Sequence, residues 1–270
     1  MLETPVNIRT LQRKLYCKAK QESDFRFYAL YDKVYRVDIL THAYRRVKQN
    51  GGTPGIDGVS YANIELYGVQ RYIEELSQEL KDKQYKPDAV KRVYIPKSNG
   101  QKRPLGIPTL KDRIVQMAVK IVIEPIFEAG FESNSYGFRP KRDAHQAISD
   151  IEKNLAYGFT TVIDADLSKY FDTISHTKLL ALVSKRVVDK NILRLIKQWL
   201  KAPIVERMEN GKERYTKNNA YGTPQGGVIS PLLANIYLDV LDKFWKSQEM
   251  FERYGAKIVR YADDFVILCK

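Results

Sequence analysis

Two cysteines in 270 residues, Cys17 and Cys269, are too few for a disulfide framework and have no metal-ligand spacing, which suits a reducing, cytoplasmic compartment and two structural thiols. No apolar signal core stands at the N-terminus and no hydrophobic run approaches the roughly 20 residues that span a bilayer, so a soluble chain without a membrane partner is expected. Internal repeats, low-complexity tracts and flexible linkers are also missing. Acid is the scarcer charge: 32 Asp+Glu against 45 Lys+Arg leave +13, a balance that suits a polyanionic partner, nucleic acid first. Surface lysine kept for solubility gives the same count, but 18 tyrosines and 10 phenylalanines add faces on which bases stack, beyond those that fill the core.

Along the chain, residues 1–40 mix charge (Arg9, Arg13, Lys14, Lys18, Lys20) with aromatics (Phe25, Phe27, Tyr28, Tyr31) at helical spacing, which predicts an N-terminal helical extension. The run Asn50 to Gly58 holds four glycines and Pro54 and is a loop, whose glycines would admit a phosphate backbone or simply turn. Leu66, Val69, Tyr72, Ile73, Leu76 and Leu80 give 64–83 the periodicity of one amphipathic helix. From Lys86 to Arg113, eight basic residues stand against two acidic ones. There Arg92-Val93-Tyr94-Ile95 and Arg103-Pro104-Leu105-Gly106-Ile107 flank Ser98-Asn99-Gly100, and the Asn-Gly step predicts a hairpin that brings Lys97 close to Arg103. A solvated basic ribbon has the same composition. A buried helix is predicted over about 113–127.

Further on, Ser135-Tyr136-Gly137-Phe138-Arg139-Pro140-Lys141-Arg142 alternates aromatic and guanidinium groups in a loop, ahead of a helix from about Asp143 that includes His145. A phosphate backbone with stacked bases fits there, although a lone helical histidine is more often ordinary surface. Thr160 to Leu167 reads as a strand with Asp164 and Asp166 on one face. Helices over 176–186 and 190–201 and a second Asn-Gly hairpin at Asn210-Gly211 precede the loop Gly222-Thr223-Pro224-Gln225-Gly226-Gly227. That loop opens a helix for which Ser230 suits the N-cap and Pro231 the first position.

The chemistry concentrates at Tyr261-Ala262-Asp263-Asp264. Strand-favouring runs on both sides make Asp263-Asp264 the turn of a hairpin, and two carboxylates inside an apolar run are costly to bury without a cation. Hard divalent cations prefer such oxygens, which reads as a magnesium site; an exposed Asp-Asp turn with local hydrogen bonds is the other reading. Asp166 precedes Asp263 by 97 residues, so the two sites meet only if their strands are neighbours. Three carboxylates would then hold two divalent ions about 3.5–4 Å apart, the arrangement for in-line displacement at phosphorus. Cationic groups such as Lys97 and Arg103 are the expected complement, and together they point to nucleotidyl transfer.

The ordered series Arg103 to Pro108, Ser135 to Pro140, Asp164-Ala165-Asp166 to Phe171-Asp172, Thr223 to Gly227 and Tyr261 to Asp264, with Ser230-Pro231-Leu232-Leu233-Ala234-Asn235 after the fourth block, resembles the group II intron-encoded reverse transcriptase/maturase family from about Asn50 onward. The resemblance implies an α+β right-hand polymerase with an antiparallel palm sheet carrying the acids. It implies an N-terminal helical extension over 1–40, fingers mostly over 41–160 and a palm over 161–270, truncated after the hairpin, with the thumb absent. Asp166, Asp263 and Asp264 match its catalytic, metal-binding carboxylates for two Mg2+ ions, with Mn2+ as substitute, and Phe171, five residues after Asp166, matches the aromatic that screens the ribose 2′ position. Strand parity leaves Asp164 and Asp166 equal; the resemblance selects Asp166. Lys97, Arg103 and Gln225 match nucleotide-binding positions, Tyr261 the floor under the primer end, and Arg139, Arg142 and His145 a nucleic-acid-guiding block. The implied partners are an RNA template, a DNA or RNA primer, deoxynucleotides and intron RNA. The implied activity is RNA-directed DNA polymerisation with splicing assistance; a catalytically incomplete RNA-binding maturase fragment is the alternative.

Overall fold

The longest apolar stretch, Leu110–Glu128, folds as a helix with sixteen of its nineteen residues buried, and the rest of the chain is built round it. The computed structural model describes residues 2–96, 100, 102–207, 213–216, 221–223 and 226–270. In chain order the elements are α1 (Val6–Gln21), α2 (Tyr31–Val34), α3 (Val37–Asn50), α4 (Tyr61–Tyr67), α5 (Val69–Lys81), β1 (Val90–Pro96), β2 (Lys102–Ile107), α6 (Leu110–Glu128), α7 (Ala144–Ala156), β3 (Thr161–Asp166), α8 (Tyr170–Thr173), α9 (His176–Ser184), α10 (Lys190–Leu200), β4 (Ile204–Arg207), β5 (Glu213–Thr216), α11 (Ser230–Ser247), α12 (Met250–Tyr254), β6 (Ala256–Tyr261) and β7 (Asp264–Cys269). The fold is α+β. α1 and α3 pack on α6, and a contiguous core runs from Ile8 through this helical layer to Leu238.

The strands form two sheets. The first has the order β2-β1-β4-β5; β1 and β2 form the basic hairpin with Ile95 opposite Arg103, while β4 joins β1 in parallel. That pairing recruits 204–216 beside the hairpin at 90–107, a long-range match that local turn chemistry does not encode. β4 and β5 pair antiparallel around the second Asn-Gly step, and Asn210-Gly211 itself lies outside the described residues. The second sheet is antiparallel, with the order β3-β7-β6.

Several local expectations shift for physical reasons. The periodicity over 64–83 predicts one helix, but Gly68 takes φ +102 and divides it into α4 and α5, leaving Leu66 90% exposed. Ser230 is not the N-cap of α11: Ile229 holds that place, and the Ser230 hydroxyl instead accepts from Thr223 Oγ1 at 2.8 Å. Cys17 is an exposed thiol on α1, and Cys269 is half-buried on β7.

A buried polar knot joins the segment before β1 to α6 and α10. The Tyr85 hydroxyl donates to Asp112 Oδ1 at 2.5 Å, Trp199 Nε1 donates to the Tyr85 oxygen at 3.0 Å, and the Asp88 amide donates to Asp112 Oδ2 at 3.0 Å. Burial dominates here, pushing the Asp112 carboxyl up to about 6 and the Tyr85 phenol well above its ordinary range.

Candidate active site

β6 and β7 are joined by a two-residue loop, Ala262-Asp263, because Tyr261 pairs with Asp264. The turn therefore sits one residue earlier than the Asp263-Asp264 turn that the strand propensities predict, and Asp264 opens β7. On its other side β7 pairs with β3, and Asp166 is the direct partner of Asp264. Residues opposite one another in an antiparallel pair project to the same face, with Cβ atoms about 4.5–5.5 Å apart. Tyr261, Asp264 and Asp166 thus form one row across three strands, with Asp263 in the loop at its end. Asp164, opposite Val266, lies one step further along the same face.

This row is open to solvent: Asp164, Asp166 and Asp264 are exposed and Asp263 is half-buried. The cost of burying charge, which the apolar flanks suggest, is accordingly not what shapes the site. The Asp264 carboxyl is still raised, first by partial loss of water and then by the negative charges of Asp263, Asp166 and Asp164. Mutual repulsion of this kind is relieved by a cation.

The described ends of the Gly-rich loop meet the segment after β3 and the first sheet. Its first part is held by the segment after β3: the Gly222 amide donates to the Ile174 carbonyl and the Thr223 amide to the Phe171 carbonyl, both at 2.8 Å. His176 Nε2 lies 2.6 Å from the Gly222 carbonyl oxygen, so that nitrogen carries the proton. At the other end, a Cβ on Gly226 would sit 2.3 Å from the Gly106 carbonyl oxygen of β2, and the residue takes φ +111. Only glycine permits that approach. Phe171 is buried edge-on against Tyr170, with centroids 5.6 Å apart. Gln225 and Lys97 lie outside the described residues. Arg103 is exposed on β2, in the strand that contacts the loop.

The block at 135–145 divides. Arg139 is buried; its guanidinium donates to Glu128, to the Glu132 carbonyl at 2.6 Å and to the Ser135 carbonyl at 2.7 Å. Those bonds place it in the interior, away from the surface a nucleic-acid role requires. Arg142 holds the Ser133 carbonyl at 2.6 Å and stacks over Tyr136, while His145 is exposed on α7. Arg260 and Asp242 escape a motif reading: they are buried charges paired between β6 and α11, whose only sequence signal is a charge inside an apolar run.

With this geometry in place, comparison with known proteins is specific. The family model described as reverse transcriptase (RNA-dependent DNA polymerase) matches residues 95–270. Protein YkfC of Escherichia coli (strain K12) is 36% identical over 97% of this chain and 76% of its own length. The group II intron-encoded protein LtrA of Lactococcus lactis subsp. cremoris is 41% identical over 84% of this chain, which covers 37% of the relative. Among solved structures, a chain of a partial Cas6-RT-Cas1–Cas2 complex aligns with a TM-score of 0.54 and 27% identity over 89% of this chain and 38% of that one. By the model match over 95–270 and its own similarity to intron-encoded proteins, the chain belongs to the group II intron-encoded reverse transcriptase/maturase family.

Proposed function

We propose that this chain carries the nucleotidyl-transfer site of an RNA-directed DNA polymerase, in which a primer 3′-hydroxyl attacks a deoxynucleotide on an RNA template. The observation that carries this reading is the direct pairing of Asp166 with Asp264, in one row with Tyr261 and next to Asp263. The donors are hard carboxylate oxygens, and partial burial together with the charges of Asp263, Asp166 and Asp164 raises the Asp264 carboxyl, a strain that a divalent cation relieves. Among the described residues no three His, Cys, Asp or Glu side chains are grouped closely enough to hold a metal ion by themselves, so water and phosphate oxygens would have to complete its coordination. Asp166, Asp263 and Asp264 would hold it. Two Mg2+ ions, or Mn2+ in their stead, would supply charge to activate the attacking hydroxyl and stabilise the leaving oxygen.

The other side chains position. Arg103, with Lys97 beyond the described residues, would neutralise the triphosphate, and Gln225 would line the nucleotide pocket. Phe171, fixed through its carbonyl to Thr223, would close the space at the ribose 2′ position. Tyr261, in the row with the acids, would support the primer end, while Arg142 and His145 would meet the nucleic-acid backbone. Intron RNA binding and splicing assistance belong to the same reading. The chain spans 37% of the Lactococcus relative, so these activities are proposed for the site and not read from that protein.

Primer extension on poly(rA)/oligo(dT) with dTTP and Mg2+ tests it, comparing the chain with Asp263→Ala/Asp264→Ala at matched RNA binding. Extension that vanishes in the variant supports the reading. Intact RNA binding with no extension from either protein leaves an RNA-binding role in its place.

A further inference from the structure

We propose that Arg260 is the positioning residue of the acidic turn, locking the Ala262 carbonyl so that Asp263 and Asp264 leave the loop in a fixed direction. The inference rests on the reading of Asp166, Asp263 and Asp264 as the metal-holding set.

Arg260 is fully buried at the end of β6, next to Tyr261. Its guanidinium serves three acceptors at once. Nε and Nη2 pair with the Asp242 carboxylate of α11, and Nη1 donates to the Ala262 carbonyl at 2.8 Å and to Asn235 Oδ1 at 3.2 Å. Its backbone is also fixed, donating to the Asn134 carbonyl and accepting from the Tyr136 amide, both at 2.9 Å. Asn235 extends the network by donating to the Gly137 carbonyl at 2.8 Å, and Asn134 Nδ2 donates to Asp242 at 3.1 Å. Three separate sequence blocks, at 134–137, 235–242 and 260–264, therefore meet in one network around Arg260.

A purely structural ion pair does not account for what this network grips. Ala262 takes φ +58, a left-handed conformation that costs an L-residue roughly 1–2 kcal/mol. It is clamped from two sides: Arg260 holds its carbonyl, and on the other side a Cβ at Gly137 would come within 2.3 Å of its nitrogen. The next two residues are the acids. Fixing the peptide that leads into Asp263 thus sets the origin from which both carboxylates project, one of them opposite Asp166. The planar fork of arginine reaches carboxylate, amide and carbonyl together; the point charge of lysine cannot.

The test uses Arg260→Lys, which keeps the charge opposite Asp242, and Asn235→Ala, which removes one acceptor and the link to Gly137. Mn2+ binding to the protein without nucleotide, followed by electron paramagnetic resonance, is read beside kcat and KM for dTTP and beside the melting temperature. In folded Arg260→Lys, Mn2+ affinity and kcat are expected to fall about 10–100-fold, the range for residues that orient ligands, while KM for dTTP and RNA binding stay within about threefold. Asn235→Ala shifts the same quantities in the same direction by less, and serves alone if Arg260→Lys does not fold. Mn2+ affinity and kcat that stay at wild-type level in the folded variant overturn the proposal. The two readings separate cleanly: Mn2+ binding that is lost in Asp263→Ala/Asp264→Ala but kept in Arg260→Lys sinks the role of Arg260 alone, whereas binding unaffected by the double alanine change sinks the metal site and this inference with it.

Discussion

The amide of Thr223 donates to the carbonyl of Phe171 at 2.8 Å, so the start of the Gly-rich loop is tied to the aromatic that follows the β3 acid. Phe171→Ala tests the aromatic. Truncating this buried ring costs about 3 kcal/mol or more of stability. It is expected to raise incorporation of ribonucleotides relative to deoxynucleotides by roughly tenfold or more, since a pocket that discriminates by size loses its wall. Single-nucleotide extension with dTTP and UTP reads the ratio. An unchanged ratio in folded protein would remove Phe171 from the sugar pocket.

Gly226→Ala probes the contact between the loop and β2. The new Cβ meets the Gly106 backbone at 2.3 Å, and φ +111 is strained for any other residue. A stability loss of about 1–3 kcal/mol is expected, with a fall in kcat/KM for nucleotide. Melting temperature and steady-state extension check both; a neutral variant would show that the loop is not seated on β2.

Asp164 and Asp166 are the pair that strand parity cannot separate, and the register does. Asp166→Asn is expected to abolish extension, because its carboxylate faces Asp264; Asp164→Asn, opposite Val266, leaves activity within about tenfold. The reverse order of sensitivity would reassign the site.

Arg139 and Arg142 are predicted to behave differently despite their shared block. Arg139→Ala leaves Glu128 without its buried partner and costs about 3 kcal/mol or more of stability, with no change in the salt dependence of RNA binding by the folded protein. Arg142→Ala lowers the slope of log affinity against log salt by about one unit with little loss of stability. Salt titration of RNA binding beside thermal melts distinguishes them.

The Asp112 knot makes stability depend on pH in a definite direction. Its carboxyl titrates near 6 in the folded chain against 3.8 ordinarily, so between those values the folded state binds more protons than the unfolded one and stability falls as pH rises. The penalty is complete above about pH 6 and amounts to roughly 3 kcal/mol. Asp112→Asn, which cannot ionise, is expected to flatten this contribution in urea melts taken from pH 4 to pH 7. A wild-type slope kept by the variant would place the titration elsewhere.

Much of this is legible from residues alone. The β-branched run at Thr161–Asp166, the apolar run of α6 and the strand-favouring runs paired in the first hairpin each encode their element locally, because period and propensity act over a few residues. The pairing of β4 with β1 and the convergence of Arg260, Asp242 and Asn235 are not encoded that way. They depend on which strand reaches which neighbour after collapse, and a charge inside an apolar strand does not announce its partner. The one-residue shift of the acidic turn has the same origin: propensity places two aspartates in a loop, while the Asp166–Asp264 ladder and the grip on Ala262 draw Asp264 into the strand.

The order β3-β7-β6 gives the two facing acids unequal freedom. Asp264 belongs to a strand bonded along both flanks, so shifting it means tearing two ladders at once. Asp166 belongs to a strand bonded, among the described residues, along one flank only. The pair is built like a vice with one jaw held on both flanks and one held on a single flank. Amide hydrogens of β3 should accordingly exchange with solvent faster than those of β7, and binding between the jaws should slow the β3 set most.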